Sequence, residues 1–315
     1  MPGPFTDLLA RGKPVILDGG LATTLEARGH DLDDPLWSAR LLLEDPDAIA
    51  RVHREFLAAG ADVIITASYQ ASLAGFGVRG LSEAEGERLL RLSVDLAVCE
   101  RDTFWSDPAN RRGRAYPLVA ASVGPYGAYL ADGSEYRGRY GLTDADLLAF
   151  HEPRWRVLAD SPADLLACET IPSRREARIL LRLIAATTGR EAWLTFSCAD
   201  GGRLCDGSLL ADVLRGCDRV EGLAAVGVNC TAPGHVAALL AEARRTTRKP
   251  LLVYPNSGER YDPVNKVWLR EPGAENWDTL VPAWYRLGAV AIGGCCRVGP
   301  ERIARIRRRL YQPSS

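Results

Sequence analysis

The sequence predicts an α/β fold in which eight parallel β-strands, each followed by a helix, close into a single ring. Three observations lead to this prediction. Short apolar runs rich in β-branched residues alternate with longer segments of helical period along the 315 residues. The apolar runs are nearly continuous, which is typical of parallel strands buried on both faces. The chain length also suits a (β/α)8 TIM barrel, which needs roughly 250 residues and tolerates insertions.

Eight segments have the composition of buried strands. Their alternation with helical segments fixes the order of the elements but not the closure of the ring, so a doubly wound open sheet remains an alternative. The predicted strands are residues 14–18, 61–68, 118–123, 164–169, 192–198, 223–229, 251–255 and 289–294.

Amphipathic segments separate these strands, and several begin at a capping residue or a first-turn proline, such as Ser82, Thr143 or Pro300. Two of them, 208–216 and 275–287, have a weaker helical pattern than the others. We expect one domain over residues 1–315, with its core at about 14–310. The predicted helices are residues 47–59, 82–104, 144–159, 174–187, 208–216, 234–245, 275–287 and 300–310.

Composition narrows the classes of function. With 39 basic and 40 acidic residues the net charge is −1, so the chain has no basic footprint for nucleic acid. No apolar run approaches the roughly 18 residues of a membrane span, and the first residues do not resemble a signal peptide. Eight cysteines without such a signal are expected to be reduced thiols. These observations predict a cytoplasmic protein without nucleic-acid or membrane partners.

The C-terminal ends of the strands form the active-site face of such a barrel. Every predicted strand has a residue able to bind or react at that end. Serine and threonine are ordinary at hydrated strand ends, whereas cysteines after the sixth and eighth strands are less expected. The residues at these positions are Asp18, Thr66, Ser68, Ser122, Glu169, Ser197, Cys198, Asn229, Cys230, Tyr254, Asn256, Cys295 and Cys296.

Three of these cysteines suggest a metal site. Cys230 follows the sixth strand, and Cys295 and Cys296 follow the eighth after two glycines that permit a sharp turn. These strands are next-but-one neighbours, about two 4.8 Å spacings apart, which zinc–sulfur bonds of about 2.3 Å and two side chains can span. Soft thiolates favour zinc, and three of them leave one coordination position free for a substrate. Spacing alone also allows inert buried thiols, a redox pair, or Cys168 and Cys198 as competing ligands.

Seven segments of the chain resemble the homocysteine S-methyltransferase family. The resemblance runs from about residue 14 to 306 and is strongest to the short members that use S-methylmethionine or S-adenosylmethionine. The terminal GGCC together with the upstream NC is its most specific part. The segments are LDGGLATTLEARG, GADVIITASYQAS, ASVGPYGAYLADGSEYRG, CETIPSRREA, VGVNCTAP, LLVYPNSGE and AIGGCCRVGPERI.

The resemblance implies a (β/α)8 barrel, one zinc ion and homocysteine as the methyl acceptor. By motif position it assigns the zinc to Cys230, Cys295 and Cys296, and amino-acid binding to Asp18 and Glu169. A free thiol is mostly protonated at neutral pH, whereas a zinc-bound thiol is deprotonated. We therefore expect the zinc-bound homocysteine thiolate to attack a sulfonium methyl group and to give methionine.

Further candidates surround these residues. The polar residues at the end of strand two can bind substrate, and Asn229 can orient the loop that contains Cys230. Aromatic faces can attract a cationic sulfonium. Each tyrosine is explained equally well by packing. The remaining substrate-binding candidates are Thr66, Ser68, Gln70 and Asn229, and the candidates for donor contact are Tyr69, Tyr126 and Tyr254.

S-Methylmethionine is the expected donor, because no sequence feature supplies a pocket for adenosine. Selenocysteine or another thiol remains an alternative acceptor. An aldolase or hydrolase that uses Asp18 and Glu169 as acid and base would leave the three cysteines unexplained. A redox or metal sensor based on Cys295 and Cys296 is a non-catalytic alternative, although the chain shows no output domain for it.

Overall fold

The computed structural model describes residues 3–32, 34, 36–262, 267–269 and 276–312. Eight strands form one sheet, and a separate antiparallel pair, β8 (Arg260–Asp262) and β9 (Val267–Leu269), lies between the seventh and eighth strands of that sheet in sequence. The sheet consists of β1 (Val15–Ile16), β2 (Val63–Ile65), β3 (Leu118–Val123), β4 (Leu165–Ile171), β5 (Glu191–Phe196), β6 (Leu223–Asn229), β7 (Leu251–Tyr254) and β10 (Ala289–Ile292).

The eight strands are parallel and close into a ring, which confirms the predicted barrel and excludes the doubly wound sheet. Their order is β1-β10-β7-β6-β5-β4-β3-β2. A parallel bridge between Leu17 and Val63 joins the first strand to the second, and Asp18 N donates to Val63 O over 3.1 Å. Strand β7 separates β6 from β10. The cysteines of the predicted metal site therefore follow strands that are next-but-one neighbours in the ring, as predicted.

Helices surround the ring, and the predicted caps at Ser82 and Thr143 are present as capping boxes. The predicted helix 208–216 is shorter than expected, and position 275 of the predicted helix 275–287 lies outside the described residues. The helices are α1 (Pro4–Leu9), α2 (Leu21–Ala27), α3 (Leu41–Glu44), α4 (Pro46–Ala59), α5 (Leu73–Val78), α6 (Glu83–Ser106), α7 (Tyr126–Leu130), α8 (Asp144–Ala159), α9 (Arg174–Ala186), α10 (Leu210–Leu214), α11 (Pro233–Thr246), α12 (Trp277–Arg286) and α13 (Pro300–Tyr311).

The apolar core has two layers because strand side chains alternate between the two faces of the sheet. The larger layer lies between the ring and the helices, and the smaller one fills the ring. Helix α1 closes the N-terminal end of the ring, where Phe5 packs on Trp193 with ring centroids 5.4 Å apart. Glu191, at the start of β5, fixes α1 by accepting a hydrogen bond from Phe5 N over 2.9 Å. The opposite, C-terminal end of the ring is thereby left as the open face.

In the part of the chain that the structure describes, no helix is both long enough and apolar enough to cross a membrane.

Candidate metal and substrate site

Three thiols converge at the C-terminal end of the ring. The Sγ atoms of Cys230 and Cys296 lie 3.8 Å apart, those of Cys295 and Cys296 lie 4.0 Å apart, and all three lie within 4.8 Å of one another. Two thiolates bound to a tetrahedral metal at about 2.3 Å would be separated by about 3.8 Å. The donor set and its spacing therefore fit a thiolate-bound metal with one position left for substrate. Among the described residues, Cys168 and Cys198 do not join this group.

Backbone geometry aims these thiols at one another. Cys230 follows β6 in the left-handed conformation, with φ of 46°, and its N–H donates to Tyr254 O over 3.2 Å. The two glycines before Cys295 are required for space: a Cβ on Gly293 would lie 2.6 Å from Asp18 O, and one on Gly294 would lie 2.1 Å from Val298 Cγ1. The GGCC segment can therefore pack directly against β1 and the start of the α13 region. Close approach, and not a turn with positive φ, explains these two glycines.

Hydrogen bonds within the thiol cluster lower the pKa of one of its members, Cys230. Those from the Cys295 and Cys296 thiols, followed by one from Tyr136, hold the pKa of Cys230 well below its usual range. The Tyr136 hydroxyl lies 3.2 Å from Cys230 Sγ. The same interaction with Cys230 raises the pKa values of Cys295 and Cys296. Of the three sulfurs, Cys230 Sγ is thus the one on which the surroundings most favour a negative charge, and a negative charge there suits a cation.

Glu169 lies in the wall of the adjoining pocket. It belongs to the C-terminal end of β4 and accepts a hydrogen bond from Ser122 Oγ. Burial raises its pKa to about 7. The following residue, Thr170, has a φ of 61°, and the Asn229 amide holds it there by accepting from Thr170 N and donating to Thr170 Oγ1, each over 2.7 Å. Asn229 therefore orients the end of β4, and it does not line the pocket.

Asp18 lies beside this pocket but does not line it. Its Oδ2 accepts a hydrogen bond from Ile65 N over 2.7 Å, while its Oδ1 has no partner among the described residues. Burial raises the pKa of Asp18 well above the usual range, and the nearby Glu169 raises it further. An unpartnered buried oxygen next to a second carboxylate is suited to a cationic ligand group.

The polar residues that follow β2 differ in their access to the pocket. Thr66 lines the pocket, but its hydroxyl already contacts the Ser68 hydroxyl at 2.7 Å. Ser68 is fully buried and donates to Ser122 O over 2.8 Å, and Gln70 Nε2 donates to Ala128 O over 2.8 Å. The structure thus places Ser68 and Gln70 in contacts with neighbouring backbone and not in the pocket wall.

The three candidate tyrosines also differ. Tyr69 and Tyr254 line the pocket. The Tyr254 hydroxyl forms hydrogen bonds with side chains inside the ring, at 2.7 Å from Thr195 Oγ1 and 3.1 Å from Trp193 Nε1. Tyr126 lies outside the pocket, in an aromatic cluster formed with Tyr129, Tyr140 and Phe150.

Loops add pocket residues that the strand-end argument missed, notably Trp37, Glu135 and Tyr136. The last two lie in a short 3-10 helix, Ser134–Tyr136, inside the ADGSEYRG stretch. The sequence signal that could have identified Glu135 and Tyr136 is a charged residue next to an aromatic residue in a loop bounded by glycines. The described pocket is lined by Gly19, Gly20, Leu21, Ala22, Thr23, Trp37, Ser38, Ile65, Thr66, Ala67, Tyr69, Glu135, Tyr136, Glu169, Thr170, Cys230, Tyr254, Gly294, Cys295 and Cys296.

Comparisons with known proteins agree with this arrangement. The family model described as homocysteine S-methyltransferase matches residues 15–310. The chain is 48% identical over 303 residues to the homocysteine S-methyltransferase YbgG of Bacillus subtilis, covering 96% of each chain. It is 45% identical over 314 residues to the selenocysteine Se-methyltransferase of Brassica oleracea, covering 96% of this chain and 91% of the other. The metallated form of the Escherichia coli homocysteine methyltransferase MmuM superposes with a TM-score of 0.87 at 42% identity, covering 97% of this chain and 99% of the other.

Proposed function

This chain belongs to the homocysteine S-methyltransferase family, and from that membership we propose that it transfers a methyl group from a sulfonium donor to the thiol of homocysteine. The observation that supports this most directly is the convergence of three thiols and a buried carboxylate, Glu169, on one pocket at the open end of the barrel. As a member of a methyltransferase family the chain is an enzyme, which sets aside the sensor. The aldolase or hydrolase alternative does not use the three cysteines.

Zinc is the proposed metal, with Cys230, Cys295 and Cys296 as its ligands. These three cysteines would hold the ion, whose Lewis acidity would lower the pKa of the homocysteine thiol and so provide the acceptor as a thiolate at neutral pH. The soft donor set and the sulfur spacing support this assignment. The related Escherichia coli protein was itself solved in a metallated form.

The chain's own residues bind and position the two substrates. Glu169 and the free oxygen of Asp18 bind the ammonium group of homocysteine, and Thr66 and Thr170 lie beside Glu169 in the pocket wall. The aromatic faces of Tyr69 and Tyr254 attract the sulfonium. Methyl transfer forms a bond from the acceptor sulfur to the methyl carbon while the carbon–sulfonium bond breaks, and its electron pair returns to the donor sulfur as a neutral thioether. In-line positioning of the two sulfurs is therefore the main requirement of the step.

S-Methylmethionine is the proposed donor. The described pocket lining contains no asparagine or glutamine side chain that could read the edge of an adenine ring. With homocysteine at a fixed concentration, kcat/KM should be higher for S-methylmethionine than for S-adenosylmethionine. A clear preference for S-adenosylmethionine would refute this choice of donor but leave the methyltransferase assignment intact.

Selenocysteine is a second candidate acceptor, favoured by the 45% identity to a selenocysteine Se-methyltransferase. A selenol is already ionised at neutral pH and would gain less from a metal than a thiol does. Turnover of selenocysteine by metal-depleted protein, alongside homocysteine turnover that requires metal, would identify this second activity.

Substitution of the cysteines tests the proposal. We expect Cys230→Ser, Cys295→Ser and Cys296→Ser each to remove metal and methionine formation together while the circular dichroism spectrum is kept. Cys99→Ser is the matched control, because Cys99 is exposed on α6 and outside the site. Methionine would be measured by chromatography and zinc by elemental analysis, at about one ion per chain in the wild type. A metal-free cysteine variant with full activity would overturn the mechanism.

The three site thiols must stay reduced in order to bind a metal. All eight cysteines are free in the structure. We therefore place the activity in a reducing compartment, the cytoplasm.

A further inference from the structure

We propose that Glu135 binds the ammonium group of the methyl donor and so selects amino-acid sulfonium compounds over sulfonium compounds that lack an ammonium group. This inference rests on the proposed function, because it assigns a residue to the second substrate of the same pocket.

The backbone around Glu135 fixes its side chain in the pocket wall. Ser197 Oγ, after β5, donates to Glu135 O over 3.2 Å. On the other side α7 packs so closely that a Cβ on Gly127 would lie 2.4 Å from Glu135 N. The next residue, Tyr136, places its hydroxyl 3.2 Å from Cys230 Sγ. Glu135 is therefore held on the loop side of the pocket, one residue from a contact with the thiol cluster.

Among the described residues no cation forms an ion pair with the Glu135 carboxylate, although the charge of Arg137 lowers its pKa somewhat. Its Oε2 is buried and has no hydrogen-bond partner among the described residues. The described lining of the pocket contains no lysine, arginine or histidine, and Arg137, two residues further on, pairs with Asp132 at 3.2 Å. Burial raises the pKa of Glu135 to about 7. A buried, unpaired carboxylate is unfavourable, and a cationic group of a ligand would offset that cost.

The reaction brings two amino-acid ammonium groups into one pocket, and each needs an acceptor. Glu169 lies at the end of β4 and Asp18 follows β1, and the two are close enough for Glu169 to raise the pKa of Asp18. Glu135 belongs to a loop and is structurally separate from that pair. This division assigns the strand-end carboxylates to the acceptor and Glu135 to the donor.

The ammonium of the donor is a better partner for Glu135 than its sulfonium. The sulfonium loses its positive charge during methyl transfer, so a carboxylate beside it would stabilise the ground state more than the transition state. The ammonium keeps its charge throughout. A carboxylate paired with it strengthens binding equally in both states, which lowers KM for the donor and leaves kcat unchanged.

A cycle of two changes, one in the protein and one in the donor, tests this inference on the zinc-loaded enzyme. Glu135→Gln removes the charge, and dimethylsulfoniopropionate is a sulfonium donor without an ammonium group. With S-methylmethionine and saturating homocysteine, Glu135→Gln should raise the donor KM about ten- to a hundredfold, the range for a lost charge-assisted hydrogen bond. The value of kcat and the KM for homocysteine should stay within about twofold. With dimethylsulfoniopropionate, as substrate or competitive inhibitor, variant and wild type should be equal.

Zinc content and thermal midpoint should be the same in the variant as in the wild type, and Glu152→Gln, at an exposed position of α8, is the matched control. An unchanged donor KM, a rise confined to homocysteine, or an equal loss with both donors would each overturn the role of Glu135. Absence of methionine formation by the wild type would instead refute the proposed function. In that case calorimetric titration of S-methylmethionine into wild type and variant still decides the inference, because equal affinities would refute it and weaker binding by the variant would support it.

Discussion

At the scale of single residues, we propose that the ionisation of Glu169 couples homocysteine binding to pH. Burial raises its pKa from 4.5 to about 7, so the carboxyl is largely neutral below that pH in the unliganded protein. A neutral carboxyl cannot pair with the homocysteine ammonium. We expect the KM for homocysteine to rise as pH falls through about 7, and Glu169→Gln to raise it at pH 8 and abolish this dependence. Steady-state kinetics from pH 6 to pH 8.5 would measure both effects.

Stability gives an independent readout of the same residue. A carboxyl whose pKa is higher in the folded than in the unfolded chain stabilises the fold below the unfolded pKa, and that stabilisation is lost as pH rises through the folded value. The free energy of unfolding of Glu169→Gln, relative to that of the wild type, should therefore increase as pH rises from about 4.5 to about 7. If denaturant titrations show equal stability at all pH values and KM is also unchanged, Glu169 has no electrostatic role in the pocket.

We expect Tyr136 to strengthen metal binding through Cys230, one of the proposed ligands. A thiolate bound to metal has no proton, so the Tyr136 hydroxyl at 3.2 Å from Cys230 Sγ must act as the donor. Removing such an outer hydrogen bond usually weakens metal binding about tenfold or more. Tyr136→Phe should show that loss in competition with a chelator, whereas Tyr129→Phe, in the aromatic cluster, should not. Equal zinc affinity in both variants would show that this hydrogen bond does not support the site.

Single residues were predictable where a strand fixed their direction. Cys230, Cys295 and Cys296 follow strands of the ring, so their convergence could be deduced from strand order. Glu135 and Tyr136 reach the pocket from a loop, whose path depends on tertiary contacts such as the one between Ser197 and Glu135. Those contacts leave no periodic signal in the sequence.

At the scale of elements, the fit between α7 and the 3-10 helix Ser134–Tyr136 sets the shape of the pocket. A Cβ on Gly127 would lie 2.4 Å from Glu135 N and 2.6 Å from Ser134 C, so the backbone would have to move. We expect Gly127→Ala to lower kcat/KM about a hundredfold by displacing the pocket wall. Gly77→Ala is the matched control, because a Cβ added to that helical glycine would have nothing within 4 Å, and the change should stabilise the helix by about 0.5–1 kcal/mol. Kinetics and thermal denaturation of both variants would separate the effect on catalysis from the effect on stability. Wild-type kinetics for Gly127→Ala would show that the packing of α7 against Ser134–Tyr136 does not set the shape of the pocket.

Long elements were predictable and short ones were not. The predicted helix 82–104 is observed as Glu83–Ser106, with its capping box at Ser82. Helix α7 has five residues and the 3-10 helix after it has three, too few to show a full amphipathic period. Strand β1 is only two residues long because its pairing beyond Ile16 is limited to the isolated bridge at Leu17.

At the scale of the whole molecule, the barrel separates stability from chemistry at its two ends. The N-terminal end is closed by α1 through apolar packing and the hydrogen bonds that Glu191 accepts, whereas the thiols and the pocket occupy the C-terminal end. The alternation of segments predicted this layout, because eight repeats of strand and helix have few other ways to bury every strand. Closure itself depends on the first strand, β1. It pairs with β10, which is far away in sequence, and a single bridge between Leu17 and Val63 joins it to β2.

A substitution at the closed end tests this separation. Phe5 is fully buried against Trp193, and truncating a buried phenylalanine to alanine costs about 3–5 kcal/mol through lost burial and the cavity left behind. We propose that the chain is one domain, so Phe5→Ala should lower the midpoint of a single cooperative unfolding transition while kcat/KM and zinc content under native conditions stay as in wild type. Val78→Ala, at a position that is 76% exposed, should leave the unfolding midpoint, kcat/KM and zinc content unchanged. Two separate transitions would contradict the single domain, and a loss of kcat/KM in fully folded Phe5→Ala protein would show that packing at the closed end controls the geometry of the distant site.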